Sequence, residues 1–255
     1  ARPSLPGHAR NAALRQPKPP AQGTSSFSHF FNIGMCMRKN IFGFAEMLLG
    51  ITSLCIGSTL GILAGLGQTT STGTCSAIAG AAGLQVGTAM IALYSFFLLL
   101  QLLILRRDFH PTRILQLVPV WFQGMILNYF RYDFPPFQAL HPTSYGEKFA
   151  LFAVGMVLIS LGFTMVKCAN FLNYPPESFC TLMAQRLGIR FGTCKIALDF
   201  VYVLTTLTIC WAFSLDFGIV REGTLIFAVC NGMLINFFQP KIERLFGHLC
   251  PAPQP

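Results

Sequence analysis

The chain has 255 residues, 53% of them hydrophobic and only 11% charged, with a net charge of +9. Soluble domains carry about 25% charged residues, so this balance excludes an ordinary soluble fold and requires a dry surrounding for much of the surface. The basic excess is read as membrane orientation and attraction to anionic lipid, and it calls for no nucleic acid.

Residues 1–40 begin ARPSLPGHARNAALRQPKPPAQGTSS, a Pro-, Ala- and base-rich stretch that reads as a disordered tail. FSHFFNIGMCMRKN, which follows, reads as an amphipathic prelude at the membrane surface. A membrane-crossing helix needs about 20 apolar residues. Candidate spans fall at Phe42–Leu63, Gly87–Leu105, Ile114–Phe130, Phe149–Cys168, Cys194–Leu215 and Gly223–Phe238. The third is short and holds Pro119. The runs are too continuously apolar for barrel strands, which alternate, so the predicted fold is an all-α polytopic membrane bundle of about six transmembrane helices.

The chain repeats itself. Phe44–Leu99 set against Phe149–Leu204, an offset of 105, gives 15 identities in 56 ungapped pairs. Registered pairs include Gly50/Gly155, Gly57/Gly162, Ala64/Ala169, Cys75/Cys180, Gly83/Gly188, Gly87/Gly192 and Thr88/Thr193. Three residues are then inserted, and QGMILNYF (123–130) matches NGMLINFF (231–238). Shared hydrophobicity does not place glycines in register, so this is an internal duplication. The predicted organisation is a tail over 1–40, repeat 1 over 41–132, an external linker over 133–147, repeat 2 over 148–246 and a tail over 247–255.

Each repeat holds three spans, so the second must cross the membrane in the opposite sense. With both termini cytoplasmic, 15 of the 18 Lys and Arg residues lie inside, and only Arg131, Lys148 and Arg221 lie outside. The segments after spans 1 and 4, Gly65–Val86 and Asn170–Phe191, occupy matched places on opposite sides. Each is read either as a re-entrant element reaching the substrate level or as an interfacial cap. In the second, Pro175 and Pro176 start a short helix that Gly188 ends.

The motifs NYPPESF, LGIRFGTCKIALD, REGTLI and GMLINFF resemble those of the YczE/YitT-like bacterial integral membrane proteins. The resemblance covers about residues 42–240. It implies a permease-like protein of the bacterial inner membrane, with no particular substrate. Glu177 matches the family's acidic residue after the proline, and the double proline departs from its pattern.

Ionisable groups inside a bilayer are costly and need a reason. Asp199 lies within span 5, with Lys195 one turn before it, and the first-repeat equivalents Tyr94 and Met90 are uncharged. Asp199 is a candidate for polar recognition or ion coupling, and Lys195 its partner or a snorkelling cation. Gln123, Asn128, Asn231 and Asn236 form a symmetric amide set in spans 3 and 6, read as solute lining or as packing contacts. Glu177 with Pro175 and Pro176 is a candidate gate. Gly83, Gly87, Gly188 and Gly192 are assigned to helix packing. No metal, cofactor or catalytic constellation is expected.

The sequence therefore predicts a secondary transporter or permease for a small solute. The alternative is a non-transporting accessory or ligand-capturing subunit of a membrane complex. Expected partners are lipid, the solute, and either a second copy or a membrane complex.

Overall fold

The computed structural model describes residues 25–106, 109–169, 174–215 and 217–246. Residues 1–24 of the tail predicted over 1–40, and the predicted tail over 247–255, lie outside the described residues, while 25–40 are helical and belong to α1. Residues 1–38 and 39–255 group into separate units, and everything below concerns the second.

The described residues are helical or in connecting turns. The chain runs α1 (Ser25–Ala64), α2 (Thr70–Ala82), α3 (Val86–Leu105), α4 (Leu117–Asn128), α5 (Pro135–Gln138), α6 (Tyr145–Ala169), α7 (Pro175–Leu187), α8 (Phe191–Ala212) and α9 (Glu222–Phe246). Five stretches are long and apolar enough to cross a membrane: Phe42–Ala64, Val86–Leu105, Tyr145–Ala169, Phe191–Ala212 and Glu222–Leu245. This is the architecture of a multi-pass helical membrane protein.

The predicted third span is composite. A 3-10 turn over Pro111–Gln116 leads into α4, only 12 residues long, and a π turn over Tyr129–Asp133 closes it. Pro111 begins the 3-10 turn and Pro119 falls in the first turn of α4, where a missing N–H is tolerated. The chain thus adds a tight and a loose turn to a short helix where a single span over Ile114–Phe130 was expected.

Helix boundaries repeat at the sequence offset of 105. Ala64 and Ala169 end α1 and α6, Thr70 and Pro175 begin α2 and α7, and Val86 and Phe191 begin α3 and α8. α2 and α7 both have 13 residues and both end on a left-handed glycine, Gly83 at φ 65° and Gly188 at φ 65°. Each cap glycine donates its N–H to an equivalent carbonyl, Ala79 or Ala184, so these two glycines terminate helices where packing was expected.

The contacts between repeats are reciprocal. A methyl group added at Gly50 would lie 2.9 Å from the Gly162 carbonyl oxygen, and one at Gly57 would lie 2.6 Å from that of Gly155. Between these crossings Ser53 donates to the carbonyl of its own equivalent, Leu158, at 2.9 Å. Elsewhere Phe97 meets its equivalent, Tyr202, edge to face at 5.8 Å. Cys55 on α1 contacts the Gln123 carbonyl on α4 at 3.3 Å, and the equivalent Ser160 on α6 bonds Asn231 on α9 at 2.8 Å.

Each short helix is housed by the other repeat. α2 runs alongside α8: Thr70 bonds Asp199, Thr74 bonds the Tyr202 carbonyl and Thr206, and Gly80 touches Leu215. α2 therefore starts midway along α8 and finishes level with its end. At about 20 Å it covers only part of a 30 Å hydrocarbon layer. α7 packs correspondingly on α3, through Phe97–Phe179 at 5.4 Å and a bond from Gln101 to the Pro175 carbonyl at 3.0 Å. Gln101 and Thr206 are equivalent positions, and both are buried.

Candidate solute-binding site

The starts of α2 and α7 converge on one cavity of about 590 Å³. Thr70 and Ser71 reach it from α2, and Pro176 and Glu177 from α7. Leu54 and Ser58 of α1, Phe163 of α6 and Phe227 of α9 supply further wall. The volume lies in the range of small-molecule sites.

Thr69 caps α2 by accepting the Thr72 N–H at 3.1 Å, and the first turn of α2 carries no acidic side chain of its own. Asp199 of α8 sits there instead. Its Oδ1 accepts from the Thr70 hydroxyl at 2.7 Å and from Lys195 Nζ at 3.2 Å. An anion at a helix start is favoured by the unpaired N–H groups and the helix dipole. α7 solves the same problem internally, with Glu177 in its own first turn. Its two leading prolines remove two N–H donors that a ligand would otherwise meet. Lys167 and Lys195 share the cavity with both carboxylates, so its formal charges balance.

Four neutral groups of the lining residues are also without a partner. Gln123 Oε1 and the hydroxyls of Tyr174, Tyr202 and Thr224 are buried without a hydrogen-bond partner, and all four residues line this cavity. Their residues are 7%, 6%, 3% and 5% exposed. Leaving such a group unpaired costs about 1–3 kcal/mol, so the residues around this cavity carry unmet hydrogen-bonding capacity. Tyr94 and Tyr174 meet edge to face at 6.2 Å, giving that wall an aromatic character. Among the described residues no group of three or more His, Cys, Asp or Glu side chains could hold a metal ion.

Residues 41–240 match the model of a family of unknown function, DUF6198. The chain belongs to this family. It is also similar to the uncharacterized protein YyaS of Bacillus subtilis (strain 168), with 27% identity over 198 residues, covering 78% of this chain and 92% of that protein. No solved structure matches.

Of the sequence-predicted residues, this DUF6198 member brings Asp199, Lys195, Glu177, Gln123, Asn231 and Pro176 to the cavity. Pro175 lies beside it, with its carbonyl held by Gln101. Asn128 is elsewhere: its Oδ1 accepts the Gly87 N–H at 2.7 Å and its Nδ2 donates to Thr88 at 3.2 Å, joining α4 to the start of α3. Asn236 is exposed and is also absent from the lining. Gly87 makes a close packing contact with α4, whereas a methyl added at Gly192 would meet nothing within 4 Å.

Sequence reasoning missed Tyr94, Tyr174, Tyr202, Thr224 and Lys167 as lining residues. One signal was available. Tyr94 is the repeat equivalent of Asp199, so a site built around one position pointed to the other. Thr224 lies within the REGTLI motif, but nothing there marks it as a lining residue, and it reaches the cavity through the packing of α9.

Proposed function

We propose that the protein is a secondary transporter or permease of the bacterial inner membrane, built from two inverted repeats around this cavity. The observation that carries the reading is the cavity itself, about 590 Å³ at the convergent starts of two half-length helices, with hydroxyls, amides and charged side chains in its lining. Broken or half-length helices at matched places in two repeats are where transporters bind solute near the bilayer midplane.

Three further features support the inverted arrangement. Ser53 with Leu158 and Phe97 with Tyr202 are pairs of equivalent residues touching each other, as residues on a two-fold axis must. These residues fall near the middles of their helices, which puts such an axis within the membrane plane. The ends of the helices also separate charge: Arg106, Arg113, Lys167, Arg186, Arg190 and Lys195 belong to the side where α8 begins, while Arg131, Lys148 and Arg221 belong to the side where it ends. The basic side is assigned to the cytoplasm, with both termini. The YczE/YitT resemblance of NYPPESF and LGIRFGTCKIALD agrees with this assignment.

The balanced formal charges of the lining favour a small polar solute that is itself neutral or zwitterionic. Lys195–Asp199 is a replaceable pair: an incoming polar group can take the place of either partner. The ligand-capturing subunit is the second reading, since a cavity binds whether or not it transports.

Thermal unfolding of the purified protein against a panel of metabolites and ions tests the proposal, with Asp199→Asn in parallel. A solute that raises the melting temperature of the wild type and not of the variant supports it. Proteoliposome uptake of that solute then separates transport from capture. A panel without a hit, together with co-purification of an ATPase module, would turn the reading to the accessory subunit.

A further inference from the structure

The two repeats differ in one helix interface. In the first, α3 and α4 pack backbone to backbone at Gly87 and Gly124. A methyl at Gly124 would sit 2.5 Å from Ile91 Cγ1 and 2.7 Å from the Gly87 carbonyl oxygen. Gly87 is the second residue of α3, so its N–H has no partner within the helix, and the N-cap Gln85 supplies none. Asn128 supplies it from α4, as a cap delivered by another helix, and holds Thr88 with its amide nitrogen.

The second repeat carries the same set in register: Gly192, Thr193 and Ile196 on α8, Gly232 and Asn236 on α9. Gly192 is likewise the second residue of its helix, and Arg190 provides no side-chain cap. Yet methyl groups at Gly192 and Gly232 would meet nothing within 4 Å, Ile196 is 72% exposed, and α8 and α9 form no interface like that of α3 and α4. α9 has kept its place on α6: Ser160 donates to Asn231 Oδ1 at the level where Cys55 meets the main-chain carbonyl of Gln123. α8 has kept its place on α2. The gap therefore lies between two bodies that are each intact. The cavity extends into it, lined there by Phe191 and Ile196 of α8 and by Ala228 and Ile235 of α9.

On the transporter reading, we infer that α8 and α9 are the two halves of a second clasp, open in this structure, which closes in an alternate conformation. In that state Asn236 Oδ1 accepts the Gly192 N–H, Asn236 Nδ2 donates to Thr193 Oγ1, and Gly232 lies against Gly192 and Ile196. Closure seals the cavity on the side where α8 begins. The first clasp is closed now on the other side, at the start of α3. Opening one as the other closes exposes the same cavity alternately to the two faces of the membrane.

The test uses the full chain in lipid nanodiscs, with spin-labelled unnatural amino acids at Phe200 and Met233, which are 61% and 69% exposed and clear of the cavity. Labels at the equivalents Ser95 and Met125 give the separation of a closed clasp. Pulsed dipolar spectroscopy is expected to show two separations for 200–233, the shorter overlapping that of 95–125. Gly232→Leu meets open space in this structure but collides in the closed clasp, so it removes the shorter population and spares the longer. Gly192→Val serves the same purpose from α8. Asn236→Ala is expected to reduce the shorter population about thirtyfold, the value of two net hydrogen bonds. A single long separation in the wild type, with and without any solute found by thermal shift, overturns the inference. So does a short population that survives Gly232→Leu. Two separations with no transported solute would leave the clasp and sink the transporter reading, whereas transport with one fixed separation would sink the clasp alone.

Discussion

α2 and α7 are the same object in backbone and different objects in chemistry. Both have 13 residues, both end on a left-handed glycine, and both lean on a long helix of the opposite repeat. α2 opens with hydroxyls, Thr70, Ser71 and Thr72, and borrows its carboxylate from α8. α7 opens Pro175-Pro176-Glu177 and carries its own. α2 docks through threonine hydroxyls, and α7 through a phenylalanine pair and a glutamine. The backbone plan answers to the membrane, which fixes where helices can begin and end. On the transporter reading, the side chains answer to a solute, which need not be symmetric.

If that division is right, substitutions at shared backbone positions should act alike in both repeats. Those at the diverged positions should not. The largest effect is expected at the crossing of α1 and α6. Gly57→Leu and Gly155→Leu each push a side chain into facing backbone, and both should abolish a monodisperse purified protein. Gly61→Leu, where a methyl meets nothing within 4 Å, should purify normally in size-exclusion chromatography.

Next comes Gln101→Leu. It strands the Pro175 carbonyl and frees Arg113, whose guanidinium bonds Gln101 at 3.2 Å, and it should cost about 1–3 kcal/mol in denaturant unfolding. Thr206→Val, at the equivalent position, should cost less, because Thr74 keeps its bonds to the Tyr202 and Thr70 carbonyls. Equal losses would mean that α2 and α7 are held with equal strength, against the asymmetry drawn above.

Gly83→Ala and Gly188→Ala should then agree with each other, at about 1–2 kcal/mol each, since both force a Cβ into the left-handed region. A clear difference between them would show that one cap is not a shared requirement. The smallest effect on stability belongs to Asp199→Asn. The Lys195–Asp199 side chains are 36% and 33% exposed, so their pairing is worth at most about 1 kcal/mol. Its loss should be read in solute binding and hardly in unfolding.

Much of this plan was legible in the sequence. The offset of 105, the registered glycines and the proline start of α7 located the repeat and bounded α7, whereas the small and hydroxyl residues of 65–86 gave no helix signal for α2. The misreadings have physical causes. Small-xxx-small spacing does not distinguish a packing glycine from a cap, so Gly83 and Gly188 were assigned to contacts; a glycine just past the last helical residue is the better signal. Pro111 and Pro119 broke the third span into shorter turns that hydropathy alone joins. Asn128 and Asn236 match in sequence, yet one is bonded and the other exposed, because their surroundings depend on how α4 and α9 meet their neighbours. The four unpartnered groups of the cavity are a property of tertiary burial and have no sequence pattern.

The lodging of each short helix in the opposite repeat has a consequence for biogenesis. When the first half of the chain has entered the bilayer, α2 has no α8 to receive it, and α3 presents a bare groove where α7 will lie. Neither half owns a finished core, so the protein is in effect a pair of subunits that have traded an arm and been tied together by the connection through α5. Cutting that connection should leave halves that are stable only when made together, and a chaperone or quality-control protease would meet every nascent molecule at the same unfinished stage.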